Sequence, residues 1–159
     1  MFTDVVGSTQ LLEAIGDEAW NELRRWHDRT LRTCFERHGG EEIDHAGDGF
    51  FVAFRSPGPA VACAVDVQRS LAEHRRAHGF SPRVRIGLHR AEAIRAGSGY
   101  TGRGVHLTAR VASLAGGDEI LATGETVHGL PGVRTSAERE VALKGLAERV
   151  RVVVVEWRP

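Results

Sequence analysis

The chain has 159 residues, 42% of them hydrophobic and 26% charged, enough for one domain with its own core and with no apolar stretch long enough to cross a bilayer. Its 21 basic and 21 acidic residues cancel, which removes the electrostatic footprint of a nucleic-acid or anionic-membrane binder. The start, MFTDVVGST, has no basic segment followed by an apolar run and a cleavage site, so a cytoplasmic location is expected; Cys34 and Cys63 lack a CxxC neighbour and read as reduced core residues.

The predicted elements begin with a short strand that ends at Asp4. Residues 9 to 38 then carry Leu11, Leu12, Ile15, Trp20, Leu23, Leu31 and Phe35 at mostly helical spacing, broken at Gly16-Asp17. That spacing predicts a short helix and then a long one, with Asp17 as N-cap and His38-Gly39-Gly40 as the end. Residues 41–55, EEIDHAGDGFFVAFR, surround a Gly-Asp-Gly turn with apolar residues, the pattern of a tight hairpin with Asp48 at its tip. Pro57-Gly58-Pro59 opens another helix, with Val61, Ala64, Val65, Gln68, Leu71 and Ala72 on one face, which ends near Gly79. RVRIGLH, residues 83–89, alternates as a strand; a loop over 95–104 leads to a helix carrying Val105, Leu107, Ala109, Val111 and Leu114. EILAT, residues 119–123, and the VALKGL and RVRVVVVEW segments read as three more strands, the last of them buried. The order predicts a single α+β domain over residues 1–159, a mixed sheet covered by helices on one face.

Two aspartates stand in contexts that suit chemistry. Asp4 precedes Val5, Val6, Gly7, Ser8 and Thr9, a strand-to-helix turn whose free N–H groups and helix dipole favour a phosphate, with a carboxylate alongside for a cation. Asp48 sits between glycines that let a ligand approach the backbone. Taken singly, Asp4 would cap the first helix and Asp48 would fill a type I′ turn. Taken together, on adjacent strands, they suit a pair of Mg²⁺ ions that neutralise triphosphate charge and activate a hydroxyl.

FTDVVGST, GDEAW, GDGFFVAF, RVRIGLH, the Gly-x-x-Val-x-x-x-x-Arg segment at 102–110, GDEILAT and LKGL together resemble the class III nucleotidyl cyclases, in that family's order and over nearly the whole chain. The resemblance implies a ferredoxin-like mixed sheet with a palm-like core. It also implies a homodimer with two composite sites between protomers, each converting ATP or GTP to a 3′,5′-cyclic nucleotide and pyrophosphate with two Mg²⁺ or Mn²⁺ ions. By position, Asp4 and Asp48 match the metal-binding aspartates, with Val5 adding a backbone carbonyl. Arg110 matches the arginine that stabilises the transition state and Lys144 the lysine that contacts phosphate, while Gly7, Ser8 and Thr9 line the triphosphate site. Arg110 would act across the dimer on metals held by the partner.

Several positions depart from the family pattern. The lysine usual four residues before the second aspartate is Asp44, and the aspartate or threonine usual seven residues before the transition-state asparagine is Gly99. A carboxylate cannot donate to adenine N1 but can accept from guanine N1–H and its amino group, so Asp44 and Gly99 argue against standard adenine reading. His106 replaces the asparagine itself; it can donate one hydrogen bond, through a bulkier ring whose charge depends on pH. Two readings stay open here, a cyclase with altered base preference and a silent cyclase-like domain that binds nucleotide or a partner. GGDEI at 116–120 resembles the signature of diguanylate cyclases, but that signature turns between two strands and this one follows a predicted helix.

Overall fold

In the computed structural model, which describes residues 1–145 and 148–158, the chain runs β1 (Phe2–Val5), α1 (Ser8–Ile15), α2 (Asp17–Arg37), β2 (Glu41–Ala46), β3 (Gly49–Ala53), α3 (Pro57–His78) and β4 (Val84–Leu88). It continues through β5 (Ile94–Ala96), β6 (Gly99–Thr101), α4 (Arg103–Leu114), β7 (Ile120–Thr123), α5 (Gly124–Val127), β8 (Arg139–Val141) and β9 (Val150–Val154). Gly16, at φ 82°, separates α1 from α2 and is itself the N-cap, so Asp17 is the first helical residue and not the cap. There its carboxylate still faces the positive end of the helix dipole. Gly79, also left-handed, ends α3 as expected.

Seven strands form one sheet in the order β2-β3-β1-β4-β7-β9-β8. The first four pair antiparallel around β1, the ferredoxin-like β-α-β-β-α-β arrangement, and β4 pairs parallel with β7. Helices cover both faces of this sheet, not one. On one side Leu31 and Phe35 of α2 and Val61, Ala64, Val67 and Leu71 of α3 bury Val52, Val84, Ile86, Ile120 and Val153. On the other side Val111 of α4 packs with Leu121, Leu143 and Val152. Alternation explains both layers, because successive residues of β7 and β9 point to opposite faces.

α4 lies very close to β4. A Cβ on Gly87 would fall 2.3 Å from the Ala112 backbone nitrogen, so only glycine lets the helix approach this strand. Beyond α4, which borders β1 through Ala109, Ala112 and Ser113, the sheet continues through β3 and β2 with no helix over it on that side among the described residues. Phe2 and Phe51 stack there at 4.5 Å, both half-buried, with Asp4 in the same row.

Three local features differ from the sequence reading. Residues 94–101 form the β5-β6 hairpin and not a loop, and α5 was not foreseen because four residues carry no periodicity. The VALKGL segment is strand only at Val141; Leu143, Lys144 and Gly145 lead through a turn, and Leu146 lies outside the described residues. GGDEI forms the corner between α4 and β7. Asp118 adopts φ 64° there, held by Arg75 at 3.0 and 3.1 Å, while its carbonyl accepts the Trp157 indole N–H at 2.7 Å. Among the described residues no helix is long and apolar enough to span a membrane.

Candidate active site

β1 presents Asp4 to the uncovered face because its neighbours Thr3 and Val5 point into the core. Pairing Phe2 with Phe51 and Thr3 with Phe50 sets Asp4 next to Gly49, where a Cβ would lie 3.6 Å from Asp4 Oδ1 and 2.6 Å from the Thr3 carbonyl. The glycine after Asp48 is therefore required for the hairpin to close against β1. Gly47 takes the left-handed conformation at φ 64° and Asp48 does not, so the turn is not the type I′ form, which needs positive φ at both positions.

The two carboxyls face one another. Burial pushes the Asp4 carboxyl above its usual range, Arg85 pulls it back, and the Asp48 charge pushes it up again. Asp48 Oδ2 is buried and finds no hydrogen-bond partner among the described residues. An orphaned buried carboxylate oxygen opposite a second carboxylate is poorly satisfied without a cation. The donor set suits a hard divalent ion, and Val5 could add only its carbonyl, since its side chain is core. Gly7 (φ 68°) turns the chain into α1, where Ser8 and Thr9 open a helix with no side-chain cap, leaving its first N–H groups available.

Sequence reasoning missed Arg85. It lies directly across the β1-β4 ladder from Asp4; its Nε donates at 2.8 Å and its Nη2 also donates to Asp4 Oδ2, while Nη1 donates to the Ser113 carbonyl at 3.1 Å. The available signal was an arginine alternating with the core residues Val84 and Ile86 on a central strand, a partly buried charge that an anion on the adjoining strand would compensate.

Asp44 reaches the same face through an irregularity in β2. The register shifts between Glu42 and Asp44, so Ile43 is the extra residue of a bulge and Asp44 falls opposite Phe51. Asp44 is exposed and lines a cleft of about 240 Å³ with Phe2, Asp4, Phe51, Arg85 and Ser113. Gly99 lies beside Ile43, 3.5 Å from where its Cβ would be, so the two departing positions converge on one edge. Beneath the hairpin, His27 contacts Asp28 at 3.0 Å, His45 approaches the same carboxylate at 3.4 Å, and His45 stacks on Phe50 at 4.2 Å. Arg32 forks onto Glu42 with two bonds of 2.8 Å. These contacts brace β2 from the core side.

The phosphate-facing candidates cluster elsewhere. His106 and Arg110 stand one turn apart on α4, His106 exposed and Arg110 half-buried. Arg110 packs over the Lys144-Gly145 turn: a Cβ on Gly145, which has φ 79°, would fall 2.9 Å from Arg110 Nη1. That Nη1 is buried with no partner among the described residues. Lys144 is exposed and next in sequence to the glycine that Arg110 packs against, so the turn carries two cations, one of them with an unpartnered N–H group that suits an anion. None of His106, Arg110 or Lys144 lines the cleft of Asp4. The acidic pair and the basic corner are therefore separate places on this chain.

Comparison with known proteins follows the same outline. An uncharacterised protein of Mycobacterium tuberculosis is 32% identical over 135 residues, 81% of this chain and 44% of that protein. A receptor-type adenylate cyclase of Trypanosoma brucei is 26% identical across 100% of this chain but 17% of its own length, so the chain spans less than half of these relatives. A solved adenylate cyclase structure from Trypanosoma brucei, in its monomeric state, superposes with a TM-score of 0.84 at 26% identity, covering 99% of this chain and 88% of that one. The family model for the adenylate and guanylate cyclase catalytic domain matches residues 1–156, and the chain belongs to that family.

Proposed function

We propose that this chain is the catalytic domain of a class III nucleotidyl cyclase that closes ATP or GTP to a 3′,5′-cyclic nucleotide and pyrophosphate in composite sites between two copies. The observation that carries the reading is the pair of complementary unsatisfied groups: the buried Asp48 oxygen beside Asp4, and the buried Arg110 nitrogen against Gly145, the residue after Lys144. Neither Arg110 nor Lys144 lines the cleft that holds Asp4, and in this reading a second copy brings one group to the other. Phe2 and Phe51 leave an apolar patch beside the acidic half-site for that copy to cover.

In this reading Asp4 and Asp48, with the Val5 carbonyl, hold two Mg²⁺ or Mn²⁺ ions, which when bound neutralise triphosphate charge and lower the pKa of the attacking hydroxyl. The first N–H groups of α1, at Gly7, Ser8 and Thr9, receive phosphate oxygens. The partner's copy of the basic corner orients the phosphoryl group. The Arg110 fork and the Lys144 ammonium meet the charge that accumulates on its oxygens. His106, on the same helical face as Arg110, donates a single hydrogen bond where family members use an amide. Asp44 and Gly99 meet the base, and an exposed carboxylate with no opposing donor accepts from guanine better than from adenine.

Purified protein incubated with Mn²⁺ and ATP or GTP should release cyclic nucleotide and pyrophosphate in equal amounts, with GTP favoured. No product from either nucleotide, with nucleotide binding intact, would establish the silent domain instead. Base reading is tested separately. Asp44→Lys combined with Gly99→Asp is expected to raise the ratio of ATP to GTP turnover by on the order of tenfold or more, measured as kcat/KM for each. An unchanged ratio would remove Asp44 and Gly99 from base recognition.

A further inference from the structure

We propose that Arg85 is a resident counter-cation of Asp4 that competes with a divalent ion for the carboxylate and so weakens binding of free metal. The inference rests on the metal role of Asp4 and Asp48 given above and concerns a residue outside that pair.

Asp4 and Arg85 face each other across antiparallel strands on the uncovered side of the sheet. Two N–H groups of the guanidinium, on Nε and Nη2, converge on one oxygen, Oδ2, and the third contact, from Nη1, ties the same group to the Ser113 carbonyl near the end of α4. Arg85 is therefore held from two sides, by Asp4 of β1 and by the Ser113 carbonyl of α4. Only Oδ1 of Asp4 is left, on the side of Gly49 and Asp48.

A cation entering between the two aspartates finds Asp4 Oδ1 and the unpartnered Asp48 Oδ2 at no cost in existing bonds. It gains Asp4 Oδ2 only by displacing the arginine fork. Even without displacement, a fixed positive charge on the same carboxylate repels it, and at this distance and partial burial such a repulsion is worth at least a factor of ten in affinity. The physical consequence is conditional loading. A bare ion meets a carboxylate already compensated, whereas an ion that arrives with a triphosphate brings the negative charge that offsets Arg85. Displacement would also release the Ser113 carbonyl and loosen the helix that carries Arg110.

The test is Mn²⁺ binding followed by electron paramagnetic resonance at pH 8, without nucleotide, for the wild type, Arg85→Gln, Arg85→Lys and Asp48→Ala, each checked for folding by circular dichroism. Arg85→Gln is expected to bind Mn²⁺ about tenfold tighter, and Arg85→Lys to stay closer to the wild type than to the glutamine variant. A purely structural role predicts the opposite sign, because a loosened Asp4 binds metal worse. Unchanged or weaker binding in Arg85→Gln, with wild-type binding that Asp48→Ala abolishes, overturns the proposal and leaves the metal pair standing. Wild-type binding that survives Asp48→Ala overturns the metal pair itself, and the proposal with it. Should Arg85→Gln fail to fold, the wild type answers alone. The Arg85 Nε–H resonance, assigned by its loss in Arg85→Lys, is expected to shift as Mg²⁺ is titrated in, and a resonance that does not move overturns the competition.

Discussion

Asp48→Ala is expected to lower cyclic-nucleotide formation by on the order of 10³-fold or more, because it removes one of the two carboxylates we propose as metal ligands and ions of this kind supply several kcal/mol of transition-state stabilisation. The same substitution should not damage the fold. Asp48 Oδ2 has no hydrogen-bond partner among the described residues, and the Asp48 charge pushes the half-buried Asp4 carboxyl upward, so in the absence of metal the aspartate is a local liability. Thermal unfolding of the metal-free variant should therefore occur at or above the wild-type temperature, while the upward shift that Mn²⁺ gives the wild type disappears. Turnover and melting temperature moving in opposite directions distinguish a functional carboxylate from a turn residue. A merely structural Asp48 would lose both together.

Arg110→Ala is the second large effect, an expected loss on the order of 10³-fold in kcat with a much smaller change in KM, as for other arginines that meet charge developing in phosphoryl transfer. Arg110→Lys should recover only part of it, since the ammonium keeps the charge but not the planar fork. Gly145 shares in this role. The Arg110 guanidinium packs where a side chain at 145 would go, and φ 79° already favours glycine there. Mn²⁺ binding to the free protein should be untouched by Arg110→Ala, because the guanidinium packs against Gly145 and does not line the acidic cleft.

The outline of the fold was legible wherever local chemistry repeats. Gly16 and Gly79 mark helix ends, GDG marks the hairpin that carries Asp48, and the spacing of Leu31, Val61, Ala64 and Leu71 marks the faces that α2 and α3 bury. What could not be read depends on partners distant in sequence. Arg85 is an ordinary strand residue until β4 is laid beside β1, 81 residues away, and its anion is revealed. The bulge at Ile43 is invisible because a single extra residue leaves the apolar pattern of β2 nearly unchanged, yet it decides which face Asp44 takes. Lys144 was read as part of a strand because VALKGL is apolar, whereas pairing stops at Val141 and the left-handed Gly145 gives the corner its shape. The second helical layer was missed for a related reason: α4 is amphipathic, but only its fit against Gly87 shows which side of the sheet it covers.

The central claim is that each site joins the acidic half of one copy to the basic half of another, and mixing two inactive variants tests it most directly. Asp48→Ala and Arg110→Ala, each inactive alone, are co-expressed and assayed with Mn²⁺ and GTP. Random pairing makes half of the dimers mixed, and each mixed dimer keeps one intact site of two, so the account predicts recovery to about a quarter of the wild-type rate. A mixture that stays at the level of its parents, although mixed dimers are isolated from it, would contradict composite sites.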